Sequence, residues 1–88
     1  MELKFKGQFN RDIQSFNQIV LQELVSVIEQ VEKAKTISEI TNLKKLRNYK
    51  TSYRIKIAKD YRIGVVVRKE TVWFVRFGHR NNFYKNFP

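Results

Sequence analysis

Three cations are spaced so that one tight hairpin would set them side by side. Tyr53, Ile55 and Ile57 alternate with Arg54 and Lys56, and Tyr61, Ile63, Val65 and Val67 alternate with Arg62 and Gly64. If Ala58–Asp60 forms the turn, Ile57 faces Tyr61, Ile55 faces Ile63 and Tyr53 faces Val65, all on one apolar face. The same register sets Lys56 directly across from Arg62, and Arg54 across from Gly64, on the other face. Like charges directly opposite one another cost a strand pair about 0.2–1 kcal/mol, so folding alone does not favour the arrangement. A bound phosphate reverses the sign, because guanidinium forks and lysine ammoniums grip phosphate oxygens through charge-assisted bonds. Gly64, beside the cluster, leaves room for a ligand backbone to approach. The bland alternative is a solvated outer face. It suits any one of these residues better than three cations with no acid among them.

The end of the next strand adds Gly78, His79 and Arg80, followed by Phe83 and Tyr84. Arg80 is a further phosphate-ligand candidate. His79 belongs to the residue type that titrates near neutrality, although a lone histidine is more often structural. Tyr84 either stacks on a nucleobase or packs with Phe83 and Phe87 against the core. Paired carboxylates, metal-ligand spacings, Ser/His/Asp sets and Gly-rich phosphate loops are all missing. Cations and a phenol can still cleave RNA, because RNA carries its own nucleophile. A base takes the 2′-OH proton, the oxyanion attacks the adjacent phosphorus, and an acid protonates the departing 5′ oxygen. Fixed cations stabilise the phosphorane charge. A lysine crowded by arginines gives up its proton more readily, which makes Lys56 a conceivable base. Arginine is a poor acid or base and acts electrostatically.

Charge distribution points the same way. Residues 1–41 carry five Lys/Arg against six Asp/Glu, net −1, whereas residues 42–88 carry thirteen against two, net +11. The asymmetry implies a polyanionic partner, nucleic acid or an acidic protein segment. A merely basic tail would lack the aromatic and β-branched residues that fill this half. At 88 residues there is room for one domain, spanning 1–88. With 42% hydrophobic residues the chain is too apolar to be disordered. It has no cysteine and one histidine, so neither disulfides nor a His-rich metal cluster is expected. No leader-like or membrane-length apolar run occurs, and a soluble cytoplasmic protein is expected.

The elements that must position these residues follow from periodicity. Leu3 and Phe5 alternate with Lys4 and Lys6 as a short first strand ending near Gly7. Phe9, Ile13 and Phe16 fall at helical spacing, with Asn10 a plausible N-cap. Val20, Leu24, Val27, Val31 and Ala34 continue an amphipathic stripe. The stripe is either one long helix or two packed as a hairpin with a break around Ser15–Gln18. Thr36 and Glu39 have capping-box spacing. Strands over 52–57, 61–67 and 72–77 form an antiparallel meander, giving an α+β layout with the helices on one face.

The runs YRIKIAKDYRIGVVV (53–67), NLKKLRNYK (42–50) and VRFGHRNNFY (75–84) together resemble the RelE toxins of bacterial type II toxin–antitoxin systems. The resemblance spans nearly the whole chain. It implies a RelE-like microbial RNase fold: an N-terminal helical hairpin on a twisted four-stranded, mainly antiparallel sheet. It also implies metal-independent cleavage of messenger RNA in the ribosomal A site by the 2′-OH route, without a cofactor, in the bacterial cytoplasm. By that resemblance Lys56 or Arg54 fills the base-side role and Arg62 and Arg80 stabilise the phosphorane. Arg80 also aids the leaving group, Tyr84 positions a nucleobase, and His79 is a further catalytic candidate. Lys44, Lys45, Arg47 and Lys50 are expected to bind RNA, including ribosomal RNA. Arg54 departs from the lysine of the best-known members and is the poorer proton acceptor. The implied protein partner is a cognate antitoxin with an acidic or amphipathic segment. Two other functions fit the same pattern: a ParE-like toxin that poisons gyrase, and a non-catalytic RNA-binding regulatory domain.

Overall fold

In the computed structural model, which describes residues 1–88, the Tyr53–Val67 periodicity closes into the expected hairpin. Strands β3 (Ser52–Ile57) and β4 (Tyr61–Arg68) pair antiparallel with Ile57 opposite Tyr61, Ile55 opposite Ile63 and Tyr53 opposite Val65. The alternation fixes this register, since a one-residue slip would turn Ile55 and Ile63 out of the core. β5 (Thr71–His79) continues the meander on the far side of β4. A bulge interrupts that pairing. Gly64 lies opposite Arg76 and Val65 opposite Phe74, so Val75 is the extra residue.

The sheet has five strands and is mixed, in the order β1-β5-β4-β3-β2, which corrects the expected four-stranded sheet. β1 (Glu2–Phe5) runs parallel to β5 at one edge. β2 (Leu43–Lys45) adds an antiparallel edge beside β3. Three residues reading Leu-Lys-Lys carry too little alternation to announce a strand.

The N-terminal stripe is two helices, α1 (Gly7–Ile13) and α2 (Gln18–Lys33). α1 packs chiefly on β5 and α2 reaches β3, so the sheet holds each helix more than its neighbour does. Asn10 is not an N-cap but lies inside α1. The capping asparagine is Asn17, whose Oδ1 accepts the Val20 N–H at 3.0 Å. A short 3₁₀ turn forms over Ile37–Glu39, but its capping box does not, because the Thr36 hydroxyl bonds that of Ser38 at 2.8 Å. Phe9, Leu24, Val31, Ile55, Ile63, Val65, Val72 and Phe74 fill the space between helices and sheet and are fully buried. Phe9 and Phe74 pack in it at 5.5 Å between ring centroids, and Phe5, 43% exposed, lies against both at 5.9 and 5.0 Å.

A third helix, α3 (Arg80–Asn86), corrects the expectation that helices cover one face only. Its Phe83 and the following Phe87 are buried, and the Phe87 ring lies where a side chain at position 64 would stand. A Cβ on Gly64 would come within 2.7 Å of that ring. Gly64 therefore seats an aromatic ring of this chain and is not an opening for a ligand backbone.

Candidate functional site

The face carrying Gly64 is the basic one. In β3–β4 register, Lys56 stands across from Arg62 and Arg54 across from Gly64, as the spacing implied. β2 adds what the sequence did not announce: Lys44 lies directly opposite Arg54. Two like-charge appositions thus occupy neighbouring strand pairs of one face, each unfavourable by a few tenths to about 1 kcal/mol without an anion.

A groove gathers most of the expected RNA-binding residues. Lys44, Lys45, Leu46, Arg47, Asn48, Arg54 and Tyr84 line it, bringing β2, its following loop, β3 and α3 together. Lys50 is exposed but outside it. Tyr84 is 51% exposed, so of the two packing options it takes the outward one, while Phe83 and Phe87 take the core. Arg54 is anchored by a hydrogen bond from Nη1 to the Asn42 carbonyl at 3.0 Å. Lys56 is exposed with its ammonium unpaired.

The other two arginines sit apart from the groove lining. Arg62 is buried at 9% exposure, and its Nη1 donates to the carbonyls of Lys59 and Tyr61, both at 2.9 Å. It is a fixed charge beneath the surface more than a free phosphate ligand. Arg80 opens α3 and pairs with Asp60 of the β3–β4 turn, Nε to Oδ1 at 3.4 Å. His79 caps α3, its Nδ1 accepting the Asn81 N–H at 3.2 Å, and its ring meets Tyr61 edge-on. It pairs across β4–β5 with Tyr61, so register sets it on the face opposite Lys56 and Arg62. The fold thus gathers Arg54, Tyr84, Lys44, Lys45 and Arg47, with Lys56 next along the same face of β3, and does not bring His79 to them. No three His, Cys, Asp or Glu side chains come together.

Two carboxylates matter that no pattern in the chain singles out. One is Asp60. The other is Asp12 on α1, which accepts from Arg76 Nε at 2.8 Å, from the Phe77 N–H at 2.9 Å and from Gln8 at 3.0 Å. Burial pushes its carboxyl up, but these hydrogen bonds and the Arg76 charge outweigh burial and hold it below its ordinary value. Asp12 thereby satisfies an edge N–H of β5 beyond the end of β1 and fixes the strand leading to His79 and Arg80. Neither contact has a local sequence signal, since 64 residues separate Asp12 from Arg76.

Comparison with known proteins bears on the chain's sequence and fold as a whole. No protein-family model matches the chain. It is 28% identical, over the full length of both proteins, to Toxin RelE3 of Methanocaldococcus jannaschii. Its fold matches that in the RelB–RelE antitoxin–toxin complex of Methanococcus jannaschii, with TM-score 0.82 and 27% identity over 97% of this chain and 99% of that one. The archaeal RelE–RelB complex of Pyrococcus horikoshii shares the fold at TM-score 0.72 and 18% identity, over 90% of this chain and 93% of that one. The resemblance read from the motifs therefore holds along the chain.

Proposed function

We propose that this chain, RelE-like in sequence and fold, is the toxin of a type II toxin–antitoxin pair and acts as a metal-independent endoribonuclease on translated messenger RNA. The observation that carries the reading is the basic face itself. Lys44 opposes Arg54 and Lys56 opposes Arg62 on neighbouring strand pairs, beside an outward tyrosine. Such a face costs folding energy when empty and gains charge-assisted bonds when a phosphodiester lies on it.

In the proposed reaction the groove seats the RNA backbone through Lys44, Lys45, Arg47 and Arg54, with a nucleobase against Tyr84. Lys56 in its neutral amine form is the proton acceptor, since arginine is a far weaker base and Arg54 is tied to the Asn42 carbonyl. It takes the ribose 2′-OH proton, and the alkoxide attacks the adjacent phosphorus. The P–O5′ bond breaks, leaving a 2′,3′-cyclic phosphate and a 5′-OH, the departing oxygen taking its proton from water or from the Lys56 ammonium formed in the first step. Arg80 and the fixed charge of Arg62 stabilise the phosphorane. His79 caps a helix in this reading and has no part in the chemistry. The protein partner is a cognate antitoxin whose acidic or amphipathic segment covers the basic face. The complexes of RelE-like proteins with antitoxins support an antitoxin partner, and the net charge of residues 42–88 favours an acidic segment.

Primer extension on a defined messenger, with and without ribosomes, beside a gyrase supercoiling assay, separates the alternatives. Cuts that require ribosomes support the reading. Intact RNA with inhibited gyrase would sink it in favour of a ParE-like poison. RNA that is bound but never cut would leave a regulatory RNA-binding domain.

A further inference from the structure

The turn between β3 and β4 holds both arginines on which the proposed reaction relies. Its backbone is left-handed at Ala58 and Lys59, with φ of 48° and 61°. The carbonyls of Lys59 and Tyr61 accept Arg62 Nη1. The carbonyl between them, that of Asp60, accepts the Arg80 main-chain N–H at 2.7 Å. Three successive carbonyls, two in the turn and one at the start of β4, thus fix one arginine by its side chain and the other by its backbone. The Asp60 carboxylate also faces the Arg80 side chain, an ion pair between two half-exposed groups whose nearest approach is Nε at 3.4 Å. Asp60 is one of only two acids in residues 42–88. It sits in the turn that joins the strands of Lys56 and Arg62 and meets Arg80, where a carboxylate works against phosphate binding.

We propose that Asp60 is a positioning residue, gripping Arg80 by its backbone N–H and its Nε so that the terminal guanidinium nitrogens stay free to meet the scissile phosphate. The inference rests on the nuclease reading above. The geometry distinguishes it from a brake. A carboxylate competing with phosphate would engage the terminal fork, the part of arginine that binds phosphate bidentately. Here the nearest approach is at Nε, on the stem side of the guanidinium and not at its terminal fork. Asp60 never touches RNA. It acts by limiting where Arg80 can be.

The test measures single-turnover cleavage of a defined messenger on ribosomes by the full chain, with maximal rate and half-saturation determined separately. Asp60→Asn keeps the main-chain carbonyl and removes the charge. Its maximal rate should fall about two- to fivefold, the reach of an exposed ion pair, with half-saturation little changed. Asp60→Glu should recover most of the rate. Added to Arg80→Ala, the Asp60→Asn change should cost nothing further, because residues acting through one another are non-additive. In the ¹⁵N spectrum of the arginine side chains, the Arg80 Nε–H signal should shift or broaden in Asp60→Asn. Faster cleavage or tighter saturation by Asp60→Asn would make the carboxylate a competitor and overturn the proposal. So would losses that multiply with those of Arg80→Ala. If Asp60→Asn fails to fold, Asp60→Glu decides: near-normal rate with an intact Arg80 Nε–H signal supports positioning, and loss of rate with that signal intact refutes it. A wild-type chain that never cuts overturns the nuclease reading and this inference together. An active wild type with an indifferent Asp60→Asn overturns this inference alone.

Discussion

Replacing Asp12 by Asn isolates one carboxylate that ties α1 to β5. Its oxygens accept from Arg76 Nε and Nη2 at 2.8 and 3.3 Å and from the Phe77 N–H at 2.9 Å. Asparagine retains one acceptor of the same size but loses the charge, and its amide nitrogen meets a donor. Removing a partner from a buried ion pair costs about 3–5 kcal/mol. Arg76 keeps 26% side-chain exposure, so water relieves part of that cost, and about 2 kcal/mol is expected. In a domain of this size that lowers Tm by roughly 8–16 °C. The pH dependence carries the sign. The carboxyl is held below its ordinary value in the fold, so its contribution is full above the unfolded-state value of about 4. It is lost as pH falls through the lower folded value. Melting curves of wild type and Asp12→Asn should therefore stand apart at pH 7 and converge as pH falls below about 4. A gap that is the same at pH 3 and pH 7, or Tm values within about 3 °C at neutrality, would refute the reasoning.

Gly64→Ala should cost about 1–3 kcal/mol by overpacking, since its Cβ would meet the Phe87 ring at 2.7 Å. Combining it with Phe87→Leu should recover part of the loss in a urea titration. A neutral Gly64→Ala would mean that Phe87 is not seated there. Lys56→Ala and Arg80→Ala should each relieve the growth arrest caused by expression and slow ribosome-dependent cutting about 10²–10³-fold, to a small but measurable rate, with folding retained by circular dichroism. Undiminished cutting by both variants would remove the cluster from the chemistry. Tyr84→Ala should change stability by no more than about 0.5 kcal/mol, as an exposed side chain does. It should slow cleavage about tenfold through the lost stacking, and an unchanged rate would assign Tyr84 no contact with RNA.

The hairpin register was legible because two signals agree. Period-two alternation on both arms and a three-residue turn leave a single pairing that buries Ile55 and Ile63. From it the Lys56–Arg62 apposition follows without any knowledge of tertiary structure. β2 and α3 were not legible for the opposite reason. Leu43–Lys45 becomes a strand only because β3 offers an edge, and Arg80–Asn86 becomes a helix in a stretch that reads equally well as the end of a strand. Gly64 was misread as a consequence. With α3 unseen, the empty space above it had no occupant on the chain itself, and a ligand was the only candidate left.

That misreading changes how the site is held together. Phe87 seats on Gly64, and three residues before it Tyr84 reaches the groove where Lys44 and Arg54 meet. The same helix begins with Arg80, tied to the β3–β4 turn through Asp60. The glycine opposite Arg54 thus serves the basic face indirectly, as the socket for the helix that carries two of its proposed working side chains. This explains how a face with two like-charge appositions can persist in so small a protein. The repulsion, about 0.2–1 kcal/mol for each pair, is offset by burial of Phe83 and Phe87 on the same face. Each buried phenylalanine contributes roughly 1.5–3 kcal/mol, so the aromatic anchor outweighs the electrostatic cost. The cations can then stay unpaired until an anion arrives.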